Sequence, residues 1–170
     1  MRQPDQAITE ARKWIELDPN SPYSHATLAG AYALQRSYPE AIAELNKAKQ
    51  LGEPAEILGS LGYVYAMSGK RDEARQALAE LSRTAKERFV SPYAIATIYV
   101  GLGEKDQAFA WLEKAYEGWD ESLGWMRFDF TMDPLRSDPR YAAFPQRRPR
   151  AVIKYVFPQA PQARARVLTV

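Results

Sequence analysis

Between residue 4 and about residue 118, apolar side chains recur three and four positions apart, the period of helices that bury one face. Residues that stop or start helices interrupt these runs. Gly69 and Gly103 stand where a helix can end in a left-handed turn, and Pro39 where a new one begins. Gly52 with Pro54, and Ser91 with Pro92, combine both signals. The pattern predicts helices over about 4–18, 22–35, 38–51, 54–68, 71–88, 91–102 and 105–118. The stop at Ser91-Pro92 comes about three residues late, so the helix from Arg71 is expected to be longer than its counterparts. Alternation of period 2, the strand signature, is absent before the C-terminal tail.

The same positions also repeat between helices. Ala7, Ala41, Ala74 and Ala108 follow one another at intervals of 34, 33 and 34, and Tyr32, Tyr65 and Tyr99 at 33 and 34. Leu28, Leu61 and Ile95 keep that period, each followed by a small residue: Ala29, Gly62, Ala96. Leu45, Leu78 and Leu112 come four residues after the alanines. An aliphatic, a small residue and an aromatic on one stripe, facing an alanine on the next helix, describe two helices that approach closely. Such a unit cannot bury its apolar face alone and is stable only when stacked. Leu61 and Tyr65 are therefore expected to be buried between hairpins.

Leu61-Gly62-Tyr63-Val64-Tyr65, Gly69, Ala74 and Leu78, with Leu17-Asp18-Pro19-Asn20 closing a hairpin, resemble the tetratricopeptide repeat over roughly residues 4–118. The resemblance implies an all-α, right-handed superhelical array of antiparallel hairpins, about three and a half repeats here. The first helix of each hairpin would line a concave groove for a peptide or helix of a protein partner. The tryptophan usual early in the first helix is replaced by His25, Leu58 and Pro92, and Trp14 fills a column normally alanine. Carried over residue by residue, the ligand-facing positions are Tyr23, Ala26, Gly30, Ala33 and Leu34, then Glu56, Gly59, Tyr63, Ala66 and Met67. Val90, Tyr93, Thr97, Val100 and Gly101 complete them. None is Lys, Arg or Asn, so the basic clamp with which some relatives grip carboxylates is missing. An apolar helix or peptide is the expected ligand. Tyr63 and Met67, one turn apart, with Gly59 and Gly30 leaving room beside them, are the expected anchor.

The first hairpin lacks its first helix, so Ala7, Ile8, Ala11, Trp14 and Ile15 are expected to form an uncovered apolar face. The expectation is a fragment of a longer protein, or self-association through that helix. Residues 119–144 carry Trp119, Leu123, Trp125, Met126, Phe128, Phe130, Leu135, Tyr141 and Phe144, and read as a hydrophobic plug on the last hairpin. Asp133-Pro134 and Asp138-Pro139 read as cap pairs opening short helices. Ser91-Pro92-Tyr93, Gly101 to Lys105, Ala108 to Leu112 and Asp133 to Arg140 resemble the C-terminal repeat region of multidomain bacterial regulators. In those, DNA-binding, kinase or cyclase domains precede the repeats. Residues 145–170 depart from that family, because Pro145 and Pro149 preclude its usual last helix. Lys154 to Pro161 is similar instead to a short segment of carboxylesterase-type hydrolases that lacks the nucleophile, and Val152 to Phe157 reads as a lone strand. This tail is expected to be poorly ordered.

Composition narrows the chemistry. With no cysteine and one histidine, His25, thiolate and His-cluster metal sites are excluded, and a serine triad would have to use His25. His25 falls in a packing column, so a structural role is expected. Asp5, Glu10, Asp72, Glu73 and Asp106 lie on outward faces among basic residues and read as solvated charge. The net charge of +2 hides an asymmetry: the last 24 residues hold six basic side chains and no acid, leaving an acidic body of −4. No signal sequence or apolar run long enough for a membrane span is present, and cytoplasmic location is the default. The tail alone does not argue for nucleic acid. The reading is a repeat array over 1–118, a cap over 119–144 and a basic tail over 145–170, without catalytic residues, cofactor or metal. Its function is a scaffold for a protein partner, with a ligand-sensing domain controlling an attached output domain as the alternative.

Overall fold

A computed structural model describes residues 4–52 and 55–144. Seven α-helices follow the sequence pattern: α1 (Pro4–Leu17), α2 (Pro22–Leu34), α3 (Tyr38–Leu51), α4 (Ala55–Met67), α5 (Arg71–Thr84), α6 (Pro92–Leu102) and α7 (Lys105–Glu117). Two 3₁₀ helices, Glu121–Trp125 and Phe130–Leu135, and a short α8 (Pro139–Ala143) come after them. Among the described residues there is no strand, and the fold is the all-α hairpin array expected. The lone strand expected over 152–157, and the rest of the tail, lie outside the described residues.

Local chemistry sets the helix ends. The hydroxyls of Ser21 and Ser91 accept the Ser24 and Ala94 N–H groups, each at 3.3 Å, and Pro22 and Pro92 occupy the first turn, where a missing N–H costs nothing. Gly69 and Gly103 end α4 and α6 at φ of 84° and 76°. At the equivalent position after α2 stands Arg36, held at φ 63°.

α2 with α3, α4 with α5, and α6 with α7 form the hairpins, and α1 packs on α2. α4 also lies against α2 and α6, so the three first helices share one face, here the inner face, while α3 and α5 fill in behind. The repeat columns are the core. Ala41, Ala74 and Ala108 are fully buried, and so, or nearly so, are Leu28, Leu61, Ile95, Leu45, Leu78 and Leu112.

Three expectations need correction. α5 ends at Thr84 rather than 88. Residues 85–88 continue only as turns, because Lys86, Glu87 and Arg88 offer no apolar side chain to pack. Tyr65 is half-buried, not buried; it packs at the seam between two core clusters while the buried tyrosine of its helix is Tyr63. The apolar face of α1 is largely covered: Ala11 is buried and Ala7, Ile8 and Ile15 half-buried, leaving Trp14 and Leu17 outside. The arrangement is pinned by the Arg12 guanidinium, which donates to the Tyr32 hydroxyl at 3.1 Å.

Candidate partner-binding groove

The inner face is built from helices with almost no charge. α2 contributes His25, α4 contributes Glu56, and α6 contributes none. His25 does not reach the groove. It is buried, with Nδ1 2.6 Å from a Glu44 carboxylate oxygen on α3 and Nε2 3.1 Å from the Pro19 carbonyl, and so ties the α1–α2 turn to the next helix. Burial pushes the Glu44 carboxyl up. Hydrogen bonds from Lys47 and His25 outweigh that and hold it below the usual carboxylate range.

The segment after α7 does more than close the last hairpin. From Asp120 onward every third residue turns inward: Asp120, Leu123, Met126, Asp129, Met132, Leu135, Asp138, Tyr141 and Phe144 are all buried or half-buried. Three is the period of a 3₁₀ helix, and the series is also a nine-residue repeat of an aspartate followed by two large apolar residues. Each aspartate caps its own turn: Asp120, Asp129 and Asp138 accept the N–H two residues on, from Ser122, Thr131 and Arg140, at 3.0, 2.8 and 3.0 Å. The cap at Asp133-Pro134 is thus a correction: Pro134 lies inside the second 3₁₀ helix, whose cap is Asp129, while Asp133 accepts from Arg136 Nε at 2.6 Å. Asp138-Pro139 does open α8.

Two of these aspartates fasten the segment to the inner face. The Asp120 carboxylate accepts the Ser91 hydroxyl and the Tyr93 N–H, and Asp129 accepts the Tyr93 hydroxyl at 2.8 Å. Burial first, then the Asp129 and Asp120 charges, raises the Tyr93 phenol far above its ordinary value. Farther along, the Tyr141 hydroxyl donates to the Met126 carbonyl at 2.9 Å, and Phe144 stacks on Phe109 of α7. The expected plug residues Trp119, Trp125 and Phe128 are exposed, since they fall between the inward positions.

Phe130 reaches farthest. Its ring meets Tyr63 of α4 edge-on, with centroids 6.1 Å apart and planes at 79°, and its edge lies 3.8 Å from where a β-carbon on Gly30 of α2 would sit. Tyr63 is in consequence only 5 % exposed. The expected open anchor is covered by the chain itself. Gly59 does not leave room for a partner either: a β-carbon there would come within 2.9 Å of the Ala94 carbonyl oxygen, so this glycine lets α4 and α6 touch.

Phe130 divides the groove in two. One chamber, of about 330 Å³, is lined by Ala26, Gly30, Glu56, Tyr63, Tyr93 and Thr97 from the helices, and by Trp125, Asp129 and Thr131 from the cap. The other, of about 420 Å³, lies between Ala33, Leu34, Tyr38 and Met67 on one side and Phe130 and Pro134 on the other. Of the positions expected to face a ligand, Ala26, Gly30, Ala33, Leu34, Glu56, Tyr63, Met67, Tyr93 and Thr97 border these chambers, while Gly59, Ala66, Val90, Val100 and Gly101 line neither. Tyr23 is exposed but lines neither. Sequence reasoning missed Trp125, Asp129, Phe130 and Thr131, for which the nine-residue spacing of aspartates was the available signal.

Residues 93–117, the α6–α7 hairpin, match the tetratricopeptide repeat. Over 108 residues the chain is 26 % identical to anaphase-promoting complex subunit 3 of Schizosaccharomyces pombe (strain 972), a match covering 63 % of this chain and 16 % of that protein. The chain therefore spans a small part of the curated relative it matches. Tetratricopeptide arrays are in general protein-interaction scaffolds, and none of the helices described here is long and apolar enough to cross a membrane.

Proposed function

We propose that this chain is a non-catalytic interaction module of a larger, cytoplasmic regulatory protein, and that it holds an extended segment of a protein partner along the inner face. The observation that carries this reading is the pair of chambers on either side of Phe130, walled by aromatic and small side chains and open between the first helices and the cap. Side chains of one bound strand could enter both. The relative named as a subunit of a multi-protein complex supports the scaffold class, and the likeness of residues 91–140 to bacterial regulators supports a place beside an output domain. Residues 1–118 serve as the array, 119–144 as part of the groove wall. Trp14 and Leu17, exposed on α1, support a second contact through self-association, checked by sedimentation of Trp14→Ala.

The test of the groove is a pull-down from the source cells with three variants. Met67→Arg and Leu34→Arg should lose a prey that the wild-type chain and Gln76→Arg, altered on the exposed side of α5, retain. Loss with Gln76→Arg and retention with the other two would place binding on the outer face and contradict the reading.

A further inference from the structure

The smaller chamber has a chemical bias that the helices alone do not have. Its described lining includes two carboxylates, Glu56 at the α4 side and Asp129 on the cap, and no Lys, Arg or His. A third carboxylate, Asp120, sits behind the wall, bonded to Ser91 and Ser122, which both line the chamber. The donors to Asp120 and Asp129 are neutral hydroxyl and amide groups, and among the described residues neither they nor Glu56 form an ion pair; Arg136 acts on Asp129 through its charge alone, without a bond to the carboxylate. The nearby Arg136 spends its donors on Asp133 and on the Arg127 and Asp129 carbonyls. The rings of Tyr63, Tyr93, Phe130 and Trp125, the last 72 % exposed at the rim, share the rest of the wall with small and hydroxyl side chains such as Ala26, Ser60 and Thr97. Rings present negative faces to a cation, and a guanidinium can stack on one while hydrogen-bonding a carboxylate. At about 330 Å³ the space is at the small end of ligand pockets and suits one side chain rather than a whole ligand.

We infer that this chamber seats a basic side chain, an arginine in preference to a lysine, projecting from the partner segment bound in the groove. The inference rests on the groove reading above and specifies the partner: a segment carrying a cation where it passes α4 and the cap. It replaces the expectation, drawn from the missing basic clamp, that the groove takes an apolar helix or peptide. The acids needed for selection come from the cap, Glu56 apart, which is why the repeat positions alone do not show them.

The test uses the full chain, ¹⁵N-labelled, titrated with two end-blocked tripeptides, Gly-Arg-Gly and Gly-Leu-Gly, and read at the amides of Ser60, Thr97 and Thr131. The arginine probe should shift these amides saturably and bind about tenfold tighter than the leucine probe. Its affinity should fall as salt is raised. Glu56→Gln, an exposed change that leaves the cap untouched, should weaken the arginine probe severalfold and leave the leucine probe unaltered. If the leucine probe binds these amides as tightly, or if the arginine probe binds Glu56→Gln as well as wild type, the chamber does not select a cation and the inference fails while the groove reading stands. If neither probe moves any amide on α2, α4 or α6, both fall.

Discussion

Arg36 carries a left-handed backbone, φ 63°, at the position where the other two hairpins place Gly69 and Gly103. A β-carbon in that region meets the neighbouring carbonyl oxygen at a cost of about 1 kcal/mol or somewhat more, which glycine avoids. Arg36→Gly should therefore raise the unfolding free energy by about 1 kcal/mol in urea; a loss of stability would show that the Arg36 side chain does something its backbone position does not reveal. At Glu44 the sign follows from the depressed carboxyl. A group whose pKa is lower folded than unfolded stabilises above the unfolded value and loses that contribution as pH falls through the folded one. Glu44→Gln should cost about 1.5–3 kcal/mol at neutral pH, the range of hydrogen bonds to charged partners. The gap to wild type should narrow as pH falls through and below the ordinary carboxylate range, measured by denaturant unfolding at successive pH values.

Among the elements, the helices were legible because each repeats one chemical sentence. Leu61 and its equivalents, the small residue after them and the alanines of the second helices fix both the period and the buried stripe. Helix ends could be read wherever a Ser-Pro or a glycine marked them, and misread at α5, whose charged end has the sequence of a helix and no surface to pack on. The cap was legible only as hydrophobic, since a count of large residues does not say which of them turn inward. That is set by the threefold period and by aspartate caps, a signal present at Asp120, Asp129 and Asp138 but absent from helical templates. The bond from the Tyr93 hydroxyl to Asp129 joins cap to array, so Tyr93→Phe should cost about 1.5–3 kcal/mol. Hydrogen exchange should speed up at residues 126–135 and stay unchanged in α2 to α5. Gly59→Ala, which forces a β-carbon onto the Ala94 backbone, should destabilise the array by about 1–3 kcal/mol in thermal or urea unfolding; a neutral result would mean that α4 and α6 can part at little cost.

For the whole molecule, the candidate site was half legible. Nine of the fifteen ligand-facing positions (Ala26, Gly30, Ala33, Leu34, Glu56, Tyr63, Met67, Tyr93 and Thr97) border the two chambers, because helical phase alone decides which way a first helix faces. What phase could not reveal is that the groove has a second wall, contributed by residues about 35–100 positions later in the chain. The account depends on that wall: Phe130 against Tyr63 makes two chambers out of one groove, turns Tyr63 from an open anchor into a core residue, and brings Asp129 to the binding surface. The most direct measurement is a double-mutant cycle in urea unfolding with Tyr63→Leu, Phe130→Leu and the pair together. An edge-to-face contact of this kind should appear as a coupling of about 0.5–1.5 kcal/mol. A coupling indistinguishable from zero would mean that the two rings do not meet in solution, and that the groove is a single open surface without its second wall.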